Sequence, residues 1–195
     1  MPLRVFNEEE KNQIREKLLS VGFPLLRQYG LIHMSIPKIA KEAKIGTGTF
    51  YHFFKSKEEY IYELITYRRT ILLSTVITDD IKKGKRKLSK SEVRQIIGLM
   101  IDKEESIYSN LNLSEEAKLF EYMKAFSPNL GHEKIIAKQL LGYIDQPKDN
   151  INYAVLFNLL KILILTSQAV NELHTEGYEE TISILTDNIM QEIYG

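Results

Sequence analysis

The sequence predicts an all-α chain: a small N-terminal cluster of three helices, then a larger helical body. Apolar residues recur at helical spacing along its length, with no alternating strand pattern and no internal repeat. Breaks at Asn110–Asn112, Ser127-Pro128, Asp145-Gln146-Pro147 and Gly177 divide the body into helix-sized stretches. The first sixty residues carry repeated helix-start signatures, at Asn7 with Glu10, at Ser35 before Pro37, and at Ser56 with Glu59.

The first helix is expected from Asn7 to about Tyr29, with Ile14, Leu18, Leu19, Phe23 and Leu26 inward and Gly30 as its stop. Gly22 lies in mid-helix, and Pro24 is expected to kink or locally unravel it. A second helix follows Ser35, with Ile36, Ile39, Ala40 and Ala43 on one face and Lys38, Lys41, Glu42 and Lys44 elsewhere. Gly46 and Thr47 interrupt it, and a third is expected from Thr47 to about Phe54. Ser56 caps a fourth, which runs through Tyr60, Ile61, Leu64, Ile65, Ile71, Leu72 and Val76 without a breaker.

Two short helices at a tight turn form a helix-turn-helix, whose second helix can lie in a DNA major groove. A helix over 47–54 would be roughly 12 Å long, which matches a groove about 12 Å wide. Thr47, Thr49, Tyr51 and His52 offer donors and acceptors to such a groove, while Phe50, Phe53 and Phe54 can anchor the opposite side. Ser35, Lys38, Tyr51, Lys55 and Lys57 are the phosphate-facing candidates. Lys38 holds the third position of its helix, where the dipole disfavours a cation, so a nearby phosphate would account for it. A dinucleotide loop is excluded: Tyr51 stands where Gly46-x-Gly48 would need its third glycine, and no strand precedes it.

The run Ile39-Ala40, Ala43, Gly48-Thr49-Phe50-Tyr51-His52-Phe53-Phe54 and Lys57-Glu58-Glu59 resembles the TetR family of transcriptional regulators. The resemblance covers about residues 8 to 64. It departs from the family pattern at Lys44, where the turn glycine is usual, at Gly46 in place of Ser, and at Tyr60 in place of Leu. It implies a helix-turn-helix DNA-binding domain over 1–57, with Gly48 part of the reading surface, and a helical effector-binding and dimerisation domain over 58–195. It further implies a homodimer on palindromic double-stranded DNA, most often a repressor, tuned by a small-molecule effector. The helix after Lys57 would transmit ligand state to the head.

Composition agrees with that division. Residues 1–57 hold ten Lys/Arg against five Asp/Glu, and the rest holds sixteen against twenty-one, so a net charge of zero conceals a basic head on an acidic body. Hydrophobic residues at 44% and charged at 27% fit a globular chain that buries a core. The absence of cysteine excludes disulfides, thiol redox chemistry and Cys-ligated metal, and with no apolar leader it fits a cytoplasmic protein. His33, His52, His132 and His174 lack ligand spacing, and no hydrolase, P-loop or acid–base motif occurs. No enzyme activity, cofactor or metal is therefore expected. Glu104-Glu105 and Glu115-Glu116 are adjacent in sequence, hence on different helical faces, and read as solvated surface. The Lys82–Lys87 run reads as a solvated basic loop.

Body helices are expected near 91–110, 114–126, 130–143, 147–173 and 178–193. From Tyr153 to Leu165 the chain is apolar nearly all round, but Asn158 and Lys161 argue against a membrane span. Such a helix must be buried on several faces. Val155, Leu159, Ile162, Leu163, Thr166 and Val170, with Ile182, Leu185 and Ile189 of the last helix, are the candidate dimer interface, as a four-helix bundle. Met100, Tyr108, Phe120, Tyr122, Met123, Phe126, Tyr143, Phe157 and Asn158 are candidates for an apolar effector pocket. The alternative is a DNA-binding protein of the same fold without a small-molecule effector, controlled by a protein partner.

Overall fold

Helix α1 (Glu8–His33) starts on a reciprocal cap: Asn7 accepts from the Glu10 amide and Glu10 accepts from the Asn7 amide. The computed structural model describes residues 7–102, 104–105, 111–126 and 138–195. Within α1 the backbone stays helical through Pro24, contrary to the expected unravelling. The ring removes one backbone bond, and burial of Gly22, Leu25 and Leu26 around it holds the rest. Gly30 does break the helix, at φ 69 and ψ 173, and one further turn follows.

The chain continues through α2 (Ile36–Glu42), α3 (Thr47–Phe50), α4 (Lys57–Ser74), α5 (Asp79–Lys82), α6 (Lys90–Ile101), α7 (Leu113–Phe126), α8 (Tyr153–Gln168) and α9 (Tyr178–Tyr194). Helix α3 is shorter than the expected 47–54. After Phe50 its bonds tighten, with the His52 amide on the Thr49 carbonyl and the Phe53 amide on the Phe50 carbonyl, so Tyr51–Phe53 form a turn.

Three body boundaries also differ from expectation. Helix α6 opens on a Ser89–Glu92 capping box and stops at Ile101, where Asp102 Oδ1 accepts from the amides of Glu104 and Glu105. The stretch expected as helix over 130–143 is helical at 138–141, and the rest of it lies outside the described residues. Helix α8 begins at Tyr153 rather than Pro147. The preceding segment is pinned elsewhere, with the Lys148 amide on the Ile193 carbonyl (2.8 Å) and the Asn152 amide on Glu192 Oε1 (2.7 Å). Asn152 then caps α8, which ends at Gln168 rather than 173 and is followed by 3₁₀ turns at Val170–Glu172 and Thr175–Gly177.

Two compact units result. One comprises residues 1–70 and 110–128, the other 71–109 and 129–195. The expected head over 1–57 lies inside the first unit, which also takes in most of α4 and all of α7. In the second unit α8 and α9 pack together and against α6. Its core includes Val76, Ile81, Ile97, Leu156, Leu163 and Ile189. Among the described residues a single β-bridge joins Leu88 and Ile144. The basic run 82–87 is exposed, with Lys85 paired to Asp80 and Arg86 to Glu92, as a solvated loop should be. Among the described residues no helix is long and apolar enough to cross a membrane.

Candidate nucleic-acid interface

The first unit is built around an aromatic wedge. Phe50, Phe54 and Tyr60 are buried, with ring centroids 5.4 Å (Phe50–Phe54), 5.4 Å (Phe50–Tyr60) and 5.1 Å (Phe54–Tyr60) apart. Arg15 lies 5.0 Å from the Phe54 ring and pairs with Glu63. The Tyr60 hydroxyl donates to the Leu18 carbonyl of α1 at 2.7 Å, and burial pushes its phenol far above the ordinary value. The wedge fixes α3 by its inward side. On the outward side Thr47, Gly48, Tyr51 and His52 are exposed and Thr49 is half-buried; Tyr51, 52% exposed, stands edge-on to Phe50. Phe53, expected as an anchor, is only half-buried.

The turn before α3 has a specific construction. The Ile45 amide bonds to the Ala40 carbonyl and the Lys44 amide to the Lys41 carbonyl, the paired bonds of a Schellman motif. Lys44 occupies the left-handed position of that motif at φ 57, a conformation that favours glycine. Gly46 follows at the N-cap of α3 in extended backbone and supplies no side-chain cap. Ser35 likewise sits at the N-cap of α2, but its hydroxyl makes no cap bond.

The structure separates the expected phosphate-facing cations. Lys55 is exposed. Lys57 is not free to act as expected: its ammonium donates to the carbonyls of Leu31 (2.6 Å) and Ile32 (3.3 Å), closing the end of α1. Burial lowers its pKa from the usual lysine value. Lys38 donates to the His33 carbonyl (3.1 Å) and lies 3.9 Å from the Tyr29 ring centre. These intramolecular partners account for the cation in the first turn of α2 without a phosphate.

Glu115 reads as solvated in the sequence but is buried in the fold. It is 5% exposed. Its Oε1 accepts from the Ile32 amide at 3.0 Å and its Oε2 from the Asn112 amide at 3.3 Å. The signal that could have found it is the spacing Asn112-x-x-Glu115, a capping box closed by the Glu115 amide on Asn112 Oδ1.

The expected pocket residues are divided between the units. Phe120, Tyr122, Met123 and Phe126 lie on α7 in the first, Phe120 being 63% exposed. Met100, Tyr143, Phe157 and Asn158 lie in the second, with Asn158 exposed, and Tyr108 lies outside the described residues. Neither unit by itself gathers the set. One shallow concavity of about 530 Å³ between α6 and α9, lined by Lys90, Arg94, Asp187, Met190 and Tyr194 among others, contains none of them.

The expected dimer face is also divided. Leu163 and Ile189 are wholly buried within one chain and are unavailable to a partner. Leu159, Ile182 and Leu185 pack partly against the same core, and Thr166 and Val170 are half-buried. Val155 and Ile162 are exposed, as are Leu165 of α8 and Ile184 of α9, which sequence reasoning had not included.

A tight turn between two short helices, the second exposing polar groups on an aromatic wedge, defines a helix-turn-helix protein of the all-α class. Residues 18–63 match the model of the bacterial regulatory proteins of the tetR family. It is 37% identical over 54 residues to the HTH-type transcriptional repressor NemR of Escherichia coli K12, covering 28% of this chain and 27% of that one. It is 30% identical over 71 residues to an uncharacterized HTH-type transcriptional regulator of Haemophilus influenzae, covering 36% and 38%. The matches thus span between a quarter and two fifths of these relatives. The whole fold is similar to a TetR-family regulator from Haemophilus influenzae (TM-score 0.51, 21% identity, 91% of this chain and 96% of that one). It is also similar to one from Agrobacterium tumefaciens (TM-score 0.52, 13% identity, 94% and 99%).

Proposed function

We propose that the protein is a sequence-specific DNA-binding transcriptional regulator, a repressor, and not an enzyme. The observation that carries this is the two-sided build of α3 and the turn after it: Phe50 and Phe54 locked inward, Thr47, Tyr51 and His52 turned out. A core helix would bury those polar groups, whereas a groove-reading segment needs them exposed. Thr47, Thr49, Tyr51 and His52 face the groove, Gly48 lets the backbone approach, and Ser35 and Lys55 contact phosphate.

The active form is a homodimer on a palindromic operator. Val155, Ile162 and Leu165 of α8 with Ile184 of α9 form the stripe that a second copy covers, since these apolar side chains remain exposed on helices already packed in the core. A small-molecule effector releases the operator by favouring a body conformation whose heads no longer match half-sites spaced by multiples of about 34–36 Å.

Selection of duplexes from a randomised pool, followed by affinity measurement across salt concentration, tests the proposal. The expected result is an enriched palindrome bound with a steep salt dependence. Weak binding that ignores Thr49→Ala and Tyr51→Ala and enriches no sequence would overturn it.

A further inference from the structure

We infer that Glu115 is a positioning residue for DNA reading: its buried carboxylate latches α7 onto the broken end of α1 and so sets how α2 and α3 are presented. This rests on the reading of α2 and α3 as the DNA-contacting pair. The geometry is specific. Glu115 Oε1 accepts from the Ile32 amide, and Lys57 donates to the carbonyls of Leu31 and Ile32. The backbone at Leu31 and Ile32 is therefore held by both an anion on α7 and a cation on α4. Only three residues separate Ile32 from Ile36, the first residue of α2, so the direction of α2 follows from how that segment is held.

Gly30 completes the device. Its left-handed φ of 69 turns the chain toward the carboxylate, and a Cβ there would lie 2.5 Å from Glu115 Oε1. The same glycine thus ends the helix and clears room for the latch. At its other end α7 is attached to α4 by Phe126 against Tyr62, with ring centroids 5.7 Å apart. The helix is bound at both ends to the elements that carry the reading segment, although Glu115 lies 83 residues from Ile32 in sequence. A displacement of α7 that withdraws the carboxylate would leave the Ile32 amide unpaired and release α2.

Amide hydrogen exchange and operator affinity, measured together on the full chain, test this. Glu115→Ala should accelerate exchange over residues 31–43, leave 178–194 unchanged, and weaken binding to the selected duplex about tenfold, within the usual range of coupling between sites. The salt slope should stay the same, because no phosphate contact is removed. Glu115→Asp, which keeps the charge but is one methylene short, should behave like Glu115→Ala and serves where alanine prevents folding. Glu115→Gln, which keeps an acceptor for the Ile32 amide, should restore most of both signals. Unchanged exchange over 31–43 in Glu115→Ala and Glu115→Asp would overturn the latch. Faster exchange with unchanged affinity would reduce it to a structural bond and overturn its positioning role. If the unaltered protein selects no duplex while the exchange contrast holds, the DNA reading fails, and the positioning role with it.

Discussion

Tyr60 crosses α1 at Gly22: its hydroxyl reaches the Leu18 carbonyl, and a Cβ on Gly22 would stand 2.2 Å from that oxygen. The two residues are a matched pair, a glycine that opens a slot and a phenol that fills it. Gly22→Ala should destabilise the fold by about 2–3 kcal/mol, the cost of overpacking a close helix contact. Tyr60→Phe should cost about 1 kcal/mol for the lost hydrogen bond. Combined in one chain, the two should cost less than their sum, with the remaining penalty due to the Leu64 methyls that the Cβ also meets, at 2.8 and 2.9 Å. Urea unfolding of all four species measures the coupling, and strict additivity would contradict the pairing.

Lys44 holds a left-handed backbone without being a glycine. Lys44→Gly should therefore stabilise the protein by about 1 kcal/mol, the usual cost of that conformation for a residue with a Cβ. A lowered melting temperature would show that the side chain contributes more than its strain costs.

Lys55 and Lys57 are neighbours in sequence with different expected roles. Lys55→Ala should lower operator affinity and reduce the magnitude of the salt slope by about 1, as loss of one phosphate contact does. Lys57→Met should reduce thermal stability by uncapping α1 and leave the slope unchanged. Equal slope changes in both would mean that Lys57 leaves its carbonyls to meet DNA.

Placing a charge on the exposed apolar stripe separates the dimer face from the core. Ile162→Asp and Ile184→Asp should give monomers by light scattering while retaining helical content. Leu163→Ala, which truncates a wholly buried side chain, should instead lower stability by about 2–5 kcal/mol. Dimers persisting in both aspartate variants would place the interface elsewhere.

The cap of α6 provides a pH test. The Arg86 guanidinium, followed by the Ser89 amide, lowers the Glu92 pKa from 4.5 to about 2. A carboxylate depressed on folding stabilises above its unfolded pKa and loses that contribution as pH falls toward the folded value. Glu92→Gln should therefore be less stable than the parent at pH 7, and the difference should shrink between pH 4.5 and 2. A constant difference across that window would exclude the ionised pair as its source.

Much of the head is legible in sequence because its signals are local. Asn7, Ser56, Gly30 and Gly46 act within a turn of where they stand, and their element starts and stops follow from short-range chemistry. The errors share a different cause. Lys57 reads as a surface cation because nothing near it in sequence shows that it meets Leu31 and Ile32 across the fold. Glu115 reads as solvated because a Glu-Glu pair usually is. Helix α8 starts late because the amides before it bond to Ile193 and Glu192, some forty residues further on. The apolar stretch over 153–165 pointed to burial on several faces, but only the fold shows that Leu163 faces inward while Leu165 and Ile184 face out.

The 83-residue separation of Ile32 and Glu115 also imposes an order on synthesis. Short helices form within about a microsecond, whereas a ribosome adds about 5–20 residues per second. Glu115 follows Phe50, the end of α3, by 65 residues, so the segment through α3 is synthesised roughly 3–13 s before the carboxylate that secures it. For that interval a nascent chain carries α3 without its latch, and the contact between α1 and α7 forms only when translation has passed Glu115.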